Sequence, residues 1–411
     1  MTTTNLAIDP HENAVRRWWR NPANRIPVLV FVTARLLTLI AGIVAVQSGP
    51  IRNQFASDPI FIQSMEARQL DNPLTFMVEP WHRWDTGWYM KIAVKGYDAN
   101  DGSIIFAPLY PALMATLGKF VGDTLLAGLL ISSAACLIFL LIFYRITFLE
   151  TGSNSVAQST LFAFMAFPTA FYLMAGYTES TFLVFVVGAL LAARHQKWLA
   201  AGVLAACATL TRVQGAVLFL PLAWLAFVQP PRFWQVQAIR WQVKTREAIP
   251  RLLAVGLGPL MALGFFGFLS VAGLGSISDA YEKYWALLVR PPWASVIDVI
   301  GRVLTGTASL SEVGGLVALI FIVVLGLASL RTLPMMYHLY IWPTLILVLT
   351  RYYTPTLLNG TMRYVLDFFP IFITAGMFFA RHAKSQLAWI VAGGTLQAIM
   401  LYLFARWLWI A

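Results

Sequence analysis

Apolar and polar positions fall along this chain in long blocks rather than in short periods. Apolar runs lie near 27–46, 124–147, 156–174, 177–194, 198–212, 214–228, 249–273, 313–331, 334–350, 361–380 and 386–408. A spanning helix needs roughly 20 apolar residues, and in lipid only hydrogen bonding within the segment satisfies the backbone. The pattern therefore predicts an all-α polytopic membrane protein with about eleven transmembrane helices. A shorter run, Phe106 to Gly122, begins Phe106-Ala107-Pro108-Leu109-Tyr110-Pro111 and carries Lys119.

The distribution of lysine and arginine sets the status of that shorter run, because short cytoplasmic loops carry the excess of both. The first apolar run follows a segment holding Arg16, Arg17, Arg20 and Arg25, so residues 1–26 read as a cytoplasmic N-terminus leading into an uncleaved first span. If 106–122 crossed the bilayer, the basic stretch with Arg232, Arg240, Lys244, Arg246 and Arg251 would lie outside. Laid along the interface instead, it makes that loop (229–248) cytoplasmic, together with Arg194, Lys197, Arg331, Arg381 and Lys384. The second arrangement fits better and puts the C-terminus outside. Its external polar stretches are a first loop spanning 47–122 with its juxtamembrane helices, the turn around Gly176-Tyr177-Thr178-Glu179-Ser180, and 274–312 with the short turn 351–363. The chain reads as a single integral membrane domain, 1–411.

Composition agrees. Only 11% of the 411 residues are charged and 59% are hydrophobic, with a mean hydropathy of +0.71, against a charged share of about 25% in soluble proteins. The net charge of +11 resides in short loops between apolar runs, which excludes nucleic acid as the partner and leaves membrane lipid. Cys136 and Cys207 sit inside apolar runs and form no metal or disulfide pattern.

The chemistry concentrates in Trp81-His82-Arg83-Trp84-Asp85-Thr86-Gly87-Trp88-Tyr89, at the end of the first external loop's acidic part; residues 47–105 hold seven acids and five bases. Asp85 is the candidate general base in a partly desolvated site, with His82 and Arg83 beside it and the aromatics Trp84, Trp88 and Tyr89 around it. One base suffices for a single in-line displacement. The competing reading is an aromatic belt with a solvated acid. Glu179 opens a helix on the same face, either as an acid favoured by the macrodipole, with Thr178 or Ser180 capping, or as a substrate ligand. Arg35 interrupts the first span, Arg212 closes another, and Arg363 opens the span that continues Tyr364-Val365-Leu366-Asp367. Three arginines near one leaflet suit a phosphate, which guanidinium binds bidentately, and they equally suit pairing with Glu179, Asp367 or Asp85. His82 has no second histidine or cysteine at metal spacing. A divalent cation such as magnesium or manganese would find oxygen ligands in Asp85 and Glu179, although the pattern does not demand one.

Read as an ordered set, Arg83-Trp84-Asp85 with Trp88-Tyr89, Ile92-Ala93 and Gly96-Tyr97, then Phe106-Ala107-Pro108-Leu109-Tyr110-Pro111, Gly176-Tyr177-Thr178-Glu179-Ser180, Leu210-Thr211-Arg212 and Met362-Arg363-Tyr364-Val365, resembles the signature of PIG-V-like mannosyltransferases. The eukaryotic relatives add the second mannose of the glycosylphosphatidylinositol anchor. The compact chain, free of large loops, looks like a prokaryotic member. The resemblance implies a GT-C-type glycosyltransferase that takes mannose from a polyprenyl (dolichyl-type) phosphate outside the cytoplasm and passes it to a glycolipid or lipid-linked acceptor. It maps the catalytic base onto Asp85 and a second acid onto Glu179. His82, Arg83, Trp84, Trp88, Tyr89, Arg35, Arg212, Arg363 and Tyr364 are the expected substrate contacts. The alternative from another class is a transporter or flippase of a lipid-linked sugar, with Arg35 and Asp367 on its pathway.

Overall fold

The structure is a computed structural model, and it describes residues 13–51, 56–66, 75–228 and 245–410. Most of the expected cytoplasmic loop 229–248 lies outside the described residues. Six helices are long and apolar enough to cross a membrane: Pro22–Gln47, Thr124–Thr151, Thr245–Val271, Leu310–Ser329, Thr361–Phe379 and Ala383–Ala405. Between them lie shorter apolar helices, including Trp198–Thr211 and Met335–Leu349.

Several expected runs are broken, and proline accounts for the clearest breaks. The run 156–174 divides into the helix Asn154–Met165 and a 3-10 turn, Ala170–Met174. Pro168 bars the residue before it from helical geometry, so the helix stops short. The run 214–228 begins as a 3-10 segment, Val213–Leu218, and becomes an α-helix only at Phe219–Phe227, which carries Pro221. The helix Leu109–Val121 has 13 residues, which at about 1.5 Å each falls short of a hydrocarbon core about 30 Å thick.

Helix association in lipid depends on close packing rather than on burial of apolar surface. The helix Glu179–Arg194 packs against Trp198–Thr211 and Thr124–Thr151, and Phe369–Phe379 packs against Asn154–Met165. Interlocked rings of Phe139, Phe143, Phe164, Phe369 and Phe372 fill the centre. One close approach positions the site: a Cβ on Gly176 would come within 2.7 Å of Thr86 Cγ2. Only glycine lets the turn before Glu179 touch the helix that starts at Asp85.

A two-stranded antiparallel ribbon, absent from the all-α expectation, joins Leu287–Val289 to Arg351–Tyr353 with Leu287 opposite Tyr353 and Val289 opposite Arg351. It fastens the stretch 274–312 to the turn 351–363, two segments that charge bias had placed on one face.

Candidate functional site

The site forms where five segments end together. Asp85 is the first residue of the helix Asp85–Lys95, where the macrodipole favours an acid. The residue before it, Trp84, has φ 52° and ψ −122°, a conformation rare outside glycine. Holding a non-glycine residue there costs about 1–3 kcal/mol. The kink turns Arg83 into the protein and Asp85 into the cavity. Tyr177 helps to fix it: its hydroxyl accepts from the Asp85 backbone N–H at 3.3 Å. Tyr177 is in turn held through Ser132, whose hydroxyl donates to the Tyr177 carbonyl at 2.9 Å and lies 2.7 Å from the Tyr110 hydroxyl. The segment Phe106–Pro111 thus supports the turn that carries Glu179.

Five charged groups form one network. Arg363 Nη1 donates to Asp85 Oδ2 at 2.7 Å, and Arg363 Nε lies 3.3 Å from Glu179 Oε1. Arg212 pairs with Glu179 Oε1 and donates to Asp367 Oδ2 at 2.8 Å and Thr178 Oγ1 at 2.7 Å. Gln214 also donates to Asp367 Oδ2, at 3.0 Å. Three carboxylates therefore share two guanidiniums, and three of their oxygens stay without a hydrogen bond among the described residues. Two are buried, Glu179 Oε2 and Asp367 Oδ1. The third is Asp85 Oδ1, on a carboxylate that reaches the cavity and bonds only through Oδ2.

That cavity has a volume of about 1060 Å³. One wall carries Trp88, stacked on Phe106 at 5.6 Å and tilted against Trp285 at 5.0 Å; apolar Phe266 and Leu347 also line the cavity. Another carries Trp84, which meets Trp407 at 5.9 Å and Trp409 at 5.1 Å. Burial, followed by the Asp85 carboxylate, pushes the Tyr89 phenol above its ordinary range, so it lines the cavity as a neutral hydroxyl.

Most of the residues singled out in sequence meet here. Asp85, His82, Trp84, Trp88, Tyr89, Arg212, Arg363 and Tyr364 all line the cavity. Glu179 stands directly behind it, fully buried. Two arginines do not reach it. Arg83 is 2% exposed, donates to the carbonyls of Ala405, Glu79 and His82, and lies over the Trp407 ring. Arg35 donates to the Met174 carbonyl at 2.8 Å and lies over Trp81. Both hold the wall rather than a ligand. His82 is also engaged: the Ser64 hydroxyl donates to the Phe61 carbonyl, so His82 Nε2, 2.7 Å away, donates to Ser64. The expected helix caps fail too, because Thr178 receives Arg212 and Ser180 donates to the Leu173 carbonyl. A cation between Asp85 and Glu179 does not fit, since the Arg363 guanidinium bridges them. Among the described residues no group of three or more metal-ligating side chains forms.

Arg351 is the residue that sequence reasoning passed over. It lines the cavity from the ribbon, its Nη1 donates to Tyr364 Oη, and its guanidinium faces the Tyr281 ring at 5.7 Å. Alone among the three cavity arginines, it has no carboxylate partner among the described residues. The signal was present: Arg351 ends an apolar run on what the expected topology makes the outer side, against the usual charge bias, which is the argument that picked out Arg212. Compared with known proteins, the chain matches no family model, no curated protein and no solved structure.

Proposed function

We propose that this chain is an inverting glycosyltransferase of the GT-C type with about eleven spans, moving mannose from a polyprenyl phosphate to a hydroxyl of a glycolipid or lipid-linked acceptor. On this reading it sits in a prokaryotic plasma membrane with the site on the extracytoplasmic face. The observation that carries it is the pairing, in one large cavity, of an acid with an oxygen unengaged among the described residues, Asp85, and a guanidinium with no carboxylate partner among them, Arg351.

The acceptor O–H gives its proton to Asp85 Oδ1 as the oxygen attacks the anomeric carbon. The bond from that carbon to the phosphate oxygen breaks, and its electron pair leaves with the polyprenyl phosphate. The phosphate passes from one negative charge to two while Asp85 becomes neutral, so the total charge in the cavity is unchanged. Arg351 meets the growing phosphate charge. Protonation of Asp85 also weakens its hold on Arg363, which makes that guanidinium available to the same dianion. Glu179 supports a single displacement rather than a double one: a second carboxylate would have to act as nucleophile, and Glu179 is fully buried behind two arginines.

The test is transfer from a defined polyprenyl-phosphate mannose by the purified protein in detergent, with no membrane and no gradient. Transfer by the wild type and its loss in Asp85→Asn support the enzyme; a transporter of lipid-linked sugar makes no new glycosidic bond under these conditions. Near-normal turnover by Asp85→Asn removes the assignment of the base.

A further inference from the structure

The C-terminal residues Arg406–Ile410 reach back across the fold to the turn that carries Asp85. Trp407 and Trp409 line the cavity, and the Trp409 ring meets Trp84 edge-on at 5.1 Å, leaving both rings half-buried rather than covered. The segment is fixed in place. Trp409 Nε1 donates to Asn359 Oδ1 at 2.7 Å, and Arg406 donates to the Pro50 carbonyl at 3.0 Å and to the Ala45 carbonyl at 3.3 Å. Trp407 adopts φ 65°, a backbone conformation unfavourable for its bulk, and buttresses the Arg83 guanidinium at 4.8 Å. Such strain persists only where the surroundings over-determine it, and it clusters at ligand clamps.

We propose that Trp409 and Trp84 form the subsite for a pyranose ring of the acceptor, with Asn359 and Asp58 bonding its hydroxyl rim. This rests on the sugar-transfer reading. A pyranose has an apolar C–H face bordered by hydroxyls, whereas a prenyl chain needs no polar partners. Asn359 Nδ2 and Asp58 Oδ2 carry no hydrogen bond among the described residues, and both side chains line the cavity. The cavity also offers a cation, Arg351, and the apolar side chains Phe266 and Leu347, which together suit a lipid phosphate. Asp85 stands between Trp409 and Arg351. Trp84, just before it, touches Trp409; Trp88, one turn later, touches Trp285, on the helix Ile277–Trp285 that brings Tyr281 against Arg351. An in-line displacement needs attacking oxygen and leaving group on opposite sides of the anomeric carbon.

Two measurements test it. The first is binding of a short-chain alkyl mannoside, read by saturation-transfer NMR on the full-length protein in a sugar-free detergent. Trp409→Ala is expected to weaken that binding roughly tenfold, the loss that truncating a central aromatic anchor brings. Trp409→Phe, which keeps a ring, should recover most of it. Equal binding by Trp409→Ala and wild type overturns the subsite whether or not transfer is observed. The second is steady-state transfer: Trp409→Ala should raise the KM for acceptor with the donor KM unchanged. A raised donor KM with unchanged acceptor KM moves the C-terminal segment to the donor side and overturns the proposal. Absence of transfer by wild type, with mannoside binding still dependent on Trp409, defeats the transferase reading and leaves a sugar-binding site.

Discussion

The protein buries ionic groups at both ends of its bundle, and the two ends are built differently. At the end away from the cavity, Glu150 closes the helix Thr124–Thr151 and is paired by both oxygens with Arg194, at 3.1 and 3.5 Å, while the Tyr337 hydroxyl donates to Glu150 Oε1 at 3.3 Å. Glu150 and Arg194 are 0% and 5% exposed in their side chains, and neither reaches the cavity. At the other end, three carboxylates share Arg212 and Arg363, two of their oxygens are buried without a partner among the described residues, and a third belongs to a carboxylate that reaches the cavity. A buried pair that satisfies itself serves geometry. A cluster that leaves acceptors unmet and adjoins a void stores reactivity, because unpaired polar groups in a low-dielectric interior are costly unless function retains them. The charges alone do not separate the two; satisfaction does.

On the proposed sugar-transfer reading, the largest effect expected from breaking this contrast is on chemistry. Asp85→Asn keeps the shape and a hydrogen bond to Arg363 but removes the base, so transfer should fall by about 10²–10⁴-fold with the thermal unfolding midpoint in detergent little changed. At the opposite end the pattern inverts. Arg194→Met strands a buried Glu150 and should cost about 3–5 kcal/mol of stability, read as a lowered unfolding midpoint, while the molecules that remain folded transfer mannose at the wild-type rate. Adding Glu150→Gln should restore much of that loss. A fall in specific activity for Arg194→Met comparable to that of Asp85→Asn breaks the distinction between the two clusters.

The outline of the fold was legible because the membrane writes it into long apolar blocks, and the ends of those blocks were not. A proline break at Pro168 and the 3-10 segment Val213–Leu218 interrupt runs that hydropathy alone joins. Asp85, Glu179, Arg212 and Arg363 could be picked out because each is a charge beside or inside an apolar run, where its retention needs a reason. Their roles could not be divided in advance: all three expected phosphate-binding arginines turn out to be engaged, Arg35 with a carbonyl and the other two with acids. Arg351 emerged only when its neighbours failed to supply a carboxylate, and Trp409 only because the chain's end folds back onto residue 84, a contact that no local pattern announces.

Arg351 sharpens the comparison by a smaller amount. If it meets the donor phosphate, Arg351→Ala should lower kcat/KM for the donor by about 10²-fold, the scale of losing one preorganised donor to a developing anion. Arg351→Lys should recover part of it, since a point charge replaces the charge but not the bidentate fork. Equal losses for Arg351→Ala and Arg351→Gln, with no recovery by lysine, would point to the Tyr364 contact rather than to charge.

The mildest test concerns how the carboxylates come to share two arginines at all. Gly176 lets the turn before Glu179 lie against Thr86, one residue after Asp85, and an added Cβ would meet Thr86 Cγ2 at 2.7 Å. Gly176→Ala should therefore push the two acids apart at a packing cost of about 1–3 kcal/mol. Arg363 spans both, so the displacement strains its bridge to Glu179 before its bond to Asp85. Transfer should drop by less than in Asp85→Asn, and Thr86→Ser, by removing the methyl that clashes, should restore it in the double variant. That rescue is specific: it requires the alanine to act through Thr86, and its failure would mean that Gly176 serves the turn's own backbone instead.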